Sequence, residues 1–190
     1  MNKLRLETFS DGVIAIIITI MVIELKAPHG AEWSALKPLW KVFFTYILSF
    51  LFLGIYWTNH HHMMHAVSRV NGKILWANLH LLFWLSLIPF VTGWMGESEF
   101  QPIPTAAYGM DLLCAAIAYY ILERTIIAHE GKDSKLKAAI GMEIKGIISL
   151  VMYVLAIPLA FLNCWISLLI FLSVAVMWLV PDKRIEALEK

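Results

Sequence analysis

Long apolar runs alternate along the chain with short polar connections. Each run covers about 17 to 22 residues, which is the length that an α-helix needs to cross a hydrocarbon core of about 30 Å. We therefore predict an all-α integral membrane protein in which residues 1–190 form one domain. Its six membrane spans are predicted at about residues 9–25, 39–57, 74–95, 105–122, 146–162 and 165–180.

The first run differs from the others because charged residues stand at its beginning. Arg5 and Asp11 lie on a helix that must enter lipid, where an unpaired carboxylate costs several kcal/mol. At 100° per residue, one face of this helix combines small and aliphatic side chains with a single hydroxyl. We call it the Ile16 face, and its members are Gly12, Ile16, Thr19, Ile20 and Ile23. The pattern fits either a packing stripe between helices or a gate formed by a ring of aliphatic side chains.

Composition supports the membrane class and excludes some partners. Hydrophobic residues make up 60% of the chain, whereas soluble domains are nearer half apolar. The net charge of +1 indicates no polyanionic partner, so we expect no binding to nucleic acid. Cys114 and Cys164 lie in or beside apolar spans and predict neither a disulfide framework nor a zinc site. Lys3 and Arg5 precede an apolar run as in a signal peptide, but Asp11 at its entry favours a true span.

The distribution of positive charge predicts the orientation. With the N-terminus inside, twelve of the fifteen Lys and Arg residues fall on the inner side. The outer side then holds only Lys26, Lys37 and Lys41. Because positive residues accumulate on the cytoplasmic side, both termini of this multi-pass protein are predicted to be cytoplasmic.

Histidines cluster after the second span, where His61 and His65 have the i, i+4 spacing that can ligate a metal on a helix. Three interpretations are open: a hydrogen-bonding cluster at the membrane interface, a sensor of protons or metal ions, and a histidine-box membrane enzyme. The enzyme would need further histidine boxes, but His29, His80 and His129 are isolated. We therefore predict no catalytic residues and no resident metal.

Asp111, near the outer end of the fourth span, is either a satisfied interfacial acid or a transport-coupling carboxylate. A cation-coupled secondary transporter usually buries several ionisable groups at the membrane midplane. The span cores hold almost none besides Asp111 and Asp11. A passive pathway is therefore favoured over a transporter, although the chain lacks the Thr-Val-Gly-Tyr-Gly filter of common potassium channels.

A longer motif in the first helix carries a family resemblance. The string Arg5-x-x-x-Phe9-Ser10-Asp11-Gly12-Val13-x-Ala15-Ile16-x-x-Thr19 resembles the first-helix signature of the lysosomal potassium channel family, transmembrane protein 175, in its bacterial form. The resemblance covers the whole chain, since six spans, cytoplasmic termini and about 200 residues are also family features. It implies a homotetrameric, potassium-preferring channel of the cell membrane. Its partners would be membrane lipid and monovalent cations, and it would need no cofactor besides permeant K⁺.

The resemblance also assigns roles to residues of the first helix. The first helices would line a central pore on a four-fold axis, with a hydrophobic constriction at Ile16. Thr19, Ile20 and Ile23 would continue this pathway outward. A polar network that holds the helices together would contain Arg5, Phe9, Ser10 and Asp11, with partners among the histidines and Asn78.

Overall fold

The computed structural model describes residues 2–65, 67, 69–131 and 144–179. Within these ranges the chain forms six α-helices and a short 3₁₀ helix, Trp33–Leu39. The helices are α1, Lys3–Ile23; α2, Trp40–His65; α3, Gly72–Glu97; α4, Pro102–Glu130; α5, Ile144–Leu159; and α6, Cys164–Leu179. The predicted end of the sixth span at residue 180 and much of the charged stretch before α5 lie outside the described residues.

The first helix begins six residues before the predicted span and ends two residues earlier. Asn2 caps it, because the Asn2 side chain accepts a hydrogen bond from the backbone N–H of Leu4. The charged first turns are therefore helical, although they lie outside the apolar run. At the other end, the N–H of Glu24 bonds to the carbonyl of Ile20 and closes the helix.

The second and fourth helices also extend well beyond their predicted spans. α2 continues through the histidine cluster to His65, and α4 continues through Arg124 to Glu130. The length of an apolar run predicts only the part of a helix that can lie in lipid. The helix itself can be longer, because its backbone hydrogen bonds continue into polar sequence. The connection that the predicted third and fourth spans leave between them, residues 96–104, is correspondingly shorter and occupies residues 98–101.

The third helix lies at the centre of the packing. α3 contacts α4 most extensively and also packs against α1 and α2, while α5 and α6 pack on α4 and on each other. One buried cluster joins α1, α2, α3 and α4, and a second joins α2 through α6 without α1. The first helix is thus held along one side only.

Two glycines allow close approach between helices. A Cβ on Gly96 would lie 2.7 Å from the hydroxyl of Thr45 and 3.0 Å from the Cα of Val42, so α3 reaches the backbone of α2 there. A Cβ on Gly109 would lie 2.9 Å from the ring of Phe171, where α4 meets α6. Larger residues at these positions would force the helices apart.

Within the described residues, four helical segments are long and apolar enough to cross a membrane by length and composition. They are Lys3–Ile23, Trp33–His65, Gly72–Glu97 and Pro102–Glu130. α5 and α6 are apolar but have 16 residues each, or about 24 Å of helix. The structure therefore shows an all-helical membrane protein, and the count of six spans stays a prediction.

Candidate ion pathway

The two sides of α1 have opposite surroundings. One side is buried against α2 and α3 and consists of Leu6, Ser10, Ile14, Ile17 and Met21. The Ile16 face is uncovered, with Ile16 61% exposed and Ile23 73% exposed, while Ile14 is only 2% exposed. An apolar stripe that packed between the helices of one chain would be buried. The Ile16 face therefore needs another environment, such as lipid, a second chain or a pathway.

The hydroxyl on the Ile16 face has a defined orientation. Thr19 Oγ1 donates its hydrogen to the carbonyl oxygen of Ala15, at 2.9 Å, within the same helix. Its oxygen lone pairs remain available on the exposed side of α1. No atom outside the helix backbone lies within 4 Å of a Cβ placed on Gly12, so the face is also open one turn before Ile16. The arrangement places a hydrogen-bond acceptor next to an apolar stripe on the same helix face.

A buried polar network anchors the opposite side of α1. The amide nitrogen of Asn78 on α3 donates to Ser10 Oγ at 3.0 Å, and Ser10 Oγ donates to the carbonyl of Leu6 at 2.9 Å. The amide oxygen of Asn78 accepts from His60 Nε2 on α2 at 2.7 Å. Ser10, Asn78 and His60 are all buried, and each has its partner. Three helices thus share one set of directional bonds, which fixes the rotation of α1.

Asp11 is bound by an indole rather than by Arg5. Trp57 Nε1 on α2 donates to Asp11 Oδ1 at 2.9 Å. Among the described residues, the Arg5 side chain has no hydrogen bond or ion pair, so it does not neutralise Asp11 within the chain. Residues six apart on a helix lie on different sides and cannot pair. By the same geometry, Arg5 and Phe9 continue the Ile16 face toward the start of α1, where both are exposed.

The histidine cluster divides into buried and exposed members. His60, which the i, i+4 spacing did not single out, is the buried member. The sequence signal for it was Asn78, because an asparagine inside an apolar span needs a polar partner. His61 and His65 are exposed, and their ring centroids lie 4.5 Å apart. In the described part of the chain, no group of three or more His, Cys, Asp or Glu residues is placed to hold a metal.

Asp111 occupies a site that sequence reasoning did not anticipate. The residue is buried on α4, and neither of its carboxylate oxygens has a hydrogen-bond partner among the described residues. The predicted alternative of a satisfied interfacial acid therefore has no support in the structure. Its neighbour Leu112 belongs to the buried cluster that joins α2 to α6 and contains no residue of α1.

Two ion pairs lie at the end of the bundle where α1 and α3 end and α2 begins. Lys26, just after α1, bonds to Glu97 at the end of α3 at 2.6 Å, and Lys41 bonds to Glu99 at 2.7 Å. The hydrogen bond and charge of Glu97 raise the pKa of Lys26, and those of Lys41 lower the pKa of Glu99. Both pairs join segments distant in sequence at the same end of the helices.

Comparison with known proteins defines the class as an ion channel. The chain is 56% identical over 186 residues to a potassium channel of Chryseobacterium sp. (strain P1-3), covering 98% of this chain and 97% of the relative. It is 33% identical over 126 residues to a potassium channel of Streptomyces collinus, covering 62% and 61%. The fold matches the crystal structure of a lysosomal potassium-selective channel TMEM175 homolog from Chamaesiphon minutus with a TM-score of 0.81 and 25% identity, over 95% of this chain and 97% of that chain.

The particular family follows from the same comparisons. Residues 5–89 match the family described as endosomal/lysosomal potassium channel TMEM175. Together with the relative that is 56% identical over nearly its whole length, this match shows that the chain belongs to the TMEM175 family of potassium channels. The resemblance predicted from the first helix is thereby confirmed. The family is one of channels and not of enzymes.

Proposed function

We propose that four copies of this chain form a passive, potassium-preferring cation channel, with α1 of each copy lining a central pore on a four-fold axis. The observation that carries this proposal is the uncovered Ile16 face beside a fully anchored opposite face on the same helix. Six spans and cytoplasmic termini in the cell membrane complete the proposal. The count of twelve Lys and Arg residues on the inner side against three on the outer side supports this orientation through the positive-inside rule.

Ile16 would act as a hydrophobic constriction. Four isoleucine side chains around an axis make a narrow ring that water leaves easily, so a crossing cation must shed part of its hydration shell. Potassium holds its water less tightly than sodium, and the ring alone therefore favours potassium. Thr19, three residues outward, would return part of the lost solvation through its free oxygen lone pairs. Ile20 and Ile23 would continue the wall of the pathway.

The polar contacts of α1 would set the register of the pore. Ser10 and Asp11 bind Asn78 and Trp57 on the side away from the Ile16 face, so the helix cannot rotate without breaking both contacts. Arg5 and Phe9 lie on the exposed side at the other end of the same stripe. We assign their contacts to neighbouring copies, where the Arg5 side chain would find the partner that it does not have among the described residues.

A cation-coupled transporter is the second candidate, and one observation favours it. The buried carboxylate of Asp111 has no partner in the described structure, and such groups in membranes often serve ion pathways or proton relays. The two candidates differ in flux: a channel conducts down its gradient in unitary steps, whereas a transporter saturates and couples two ions. Membership of a channel family favours the channel.

The test compares two isoleucines of equal exposure. Ile16→Ala shortens the side chains of the proposed ring and so widens its opening. Ile147→Ala removes the same atoms from α5, where Ile147 is 59% exposed. We expect larger unitary potassium currents for Ile16→Ala and wild-type currents for Ile147→Ala in planar bilayers. Native mass spectrometry of the wild type should show four chains. Equal currents from both variants would remove Ile16 from the pathway, and a monomer or dimer would remove the four-fold axis.

A further inference from the structure

An exposed histidine pair stands where α2 touches α1, away from the proposed pore wall. His61 and His65 are one helical turn apart, both are exposed, and their ring centroids lie 4.5 Å apart. Histidines at i and i+4 on a helix project from the same side and form a chelating pair for a transition metal. Two nitrogens on a tetrahedral zinc ion with bonds of 2.0–2.1 Å are about 3.3 Å apart. Rings already this close need only side-chain rotation to reach that spacing.

The number of ligands defines the kind of site. Among the described residues, no third His, Cys, Asp or Glu completes a cluster with this pair. Water would therefore fill the remaining coordination positions. Structural zinc sites are closed by four protein ligands, whereas a two-ligand site leaves the metal exchangeable. Such a site fits a metal ion that binds and leaves with its concentration, and it does not fit a resident cofactor.

The pair is connected to α1 by two contacts. The ring of His61 stacks on Trp57 with centroids 6.2 Å apart, and the same Trp57 holds Asp11 of α1. The backbone carbonyl of His65 accepts a hydrogen bond from Lys3 Nζ at 3.2 Å. A metal that fixes both rings would act on the anchor of the proposed pore helix. It would also add two positive charges near the end of α1 at which cations would enter from the cytoplasm.

We propose that His61 and His65 form a reversible binding site for a divalent transition metal, typified by Zn²⁺, and that its occupancy reduces the potassium current. The binding part of this proposal stands on the histidine geometry alone. The effect on current rests on the proposed function. The two parts have separate measurements, so failure of one does not conceal the other.

Binding is measured by titrating the purified full chain with Zn²⁺ in a calorimeter. His61→Gln or His65→Gln should weaken binding on the order of a hundredfold, because a chelate loses one of its two linked ligands. His62→Gln, on the same helix end, and His29→Gln, in the connection after α1, should keep wild-type binding. All four side chains are partly or fully exposed, so folding should survive. Absence of binding in the wild type, or equal binding in His61→Gln and His65→Gln, would overturn the site.

The effect on current is measured in bilayers with Zn²⁺ added to one side at a time. We expect that Zn²⁺ added to the side where the C-terminal end of α2 is exposed reduces the current. The current should recover when a chelator is added, and the reduction should be absent in His65→Gln. Loss of current from the opposite side, or equal loss in His65→Gln, would place the effect elsewhere. Calorimetric binding without any change in current would overturn the regulatory role while leaving the site. A silent wild-type channel would instead contradict the proposed function.

Discussion

The two sides of α1 use the same residue type in opposite surroundings. Ile14 and Ile17 are 2% and 3% exposed, whereas Ile16 and Ile23 on the same helix are mostly uncovered. Hydrophobicity cannot distinguish the sides, because all four residues are isoleucine. The polar residues distinguish them, since Ser10 and Asp11 need partners that only α2 and α3 provide. The hydrogen bonds of Ser10 and Asp11 would thus fix the rotation of α1 and so decide which residues face the pore.

The largest difference is expected when the same truncation is made on both sides. Ile17→Ala removes buried side-chain atoms and should lower the free energy of unfolding by about 2–5 kcal/mol. Ile16→Ala removes the same atoms from the uncovered side and should change stability by less than about 1 kcal/mol. Unfolding of both variants in one detergent by circular dichroism measures the difference. Equal losses would mean that the Ile16 face is a packing surface.

The next effect concerns the anchor itself. Asn78→Ala leaves the buried Ser10 and His60 without their shared partner and should cost about 1–3 kcal/mol. Asn59→Ala is the matched control, because among the described residues the Asn59 side chain bonds only to the carbonyl of Ile55 within α2. The same unfolding measurement applies. A loss in Asn59→Ala as large as that in Asn78→Ala would show that the network does not hold α1.

A smaller effect is expected at the exposed contact of α1 with α2. Trp57→Phe keeps an aromatic ring but removes the N–H that Asp11 accepts. We expect a coupling of about 0.5–1.5 kcal/mol between Trp57→Phe and Asp11→Asn in a double-mutant cycle of unfolding. If the unfolding free energies of the two substitutions were strictly additive, the Trp57–Asp11 bond would not help to fix the rotation of α1.

The smallest effect is expected for the exposed ion pairs at the end of the bundle where α1 and α3 end. Lys41 lowers the pKa of Glu99 below its ordinary value of 4.5, so the pair stabilises the folded chain above that pH. The stabilisation should be lost as the pH falls through the lower folded value, and Glu99→Gln should abolish this dependence. Melting temperatures of both proteins between pH 6 and about 3.5 measure it. A pair contribution that grows on acidification would contradict the sign.

The sequence predicted the approximate positions of the described helices, because apolar length is a local property. The helix ends were less predictable, since α2 and α4 continue into polar sequence whose helical bonds apolarity does not report. Periodicity grouped the residues of the Ile16 face, but it could not tell which side of α1 is buried. Asn78 was an expected partner from the family resemblance, whereas the indole of Trp57 was not, because tertiary packing brings it to Asp11 over 46 residues.

Single-channel recording in asymmetric potassium and sodium tests the central claim most directly. The wild type and Ile16→Asn are recorded in parallel, because a polar side chain at Ile16 would hydrate the proposed constriction. For the wild type we expect a potassium-weighted reversal potential. For Ile16→Asn we expect a larger unitary current and a reversal potential nearer zero. Unitary current and reversal potential that are identical in the two proteins would contradict it.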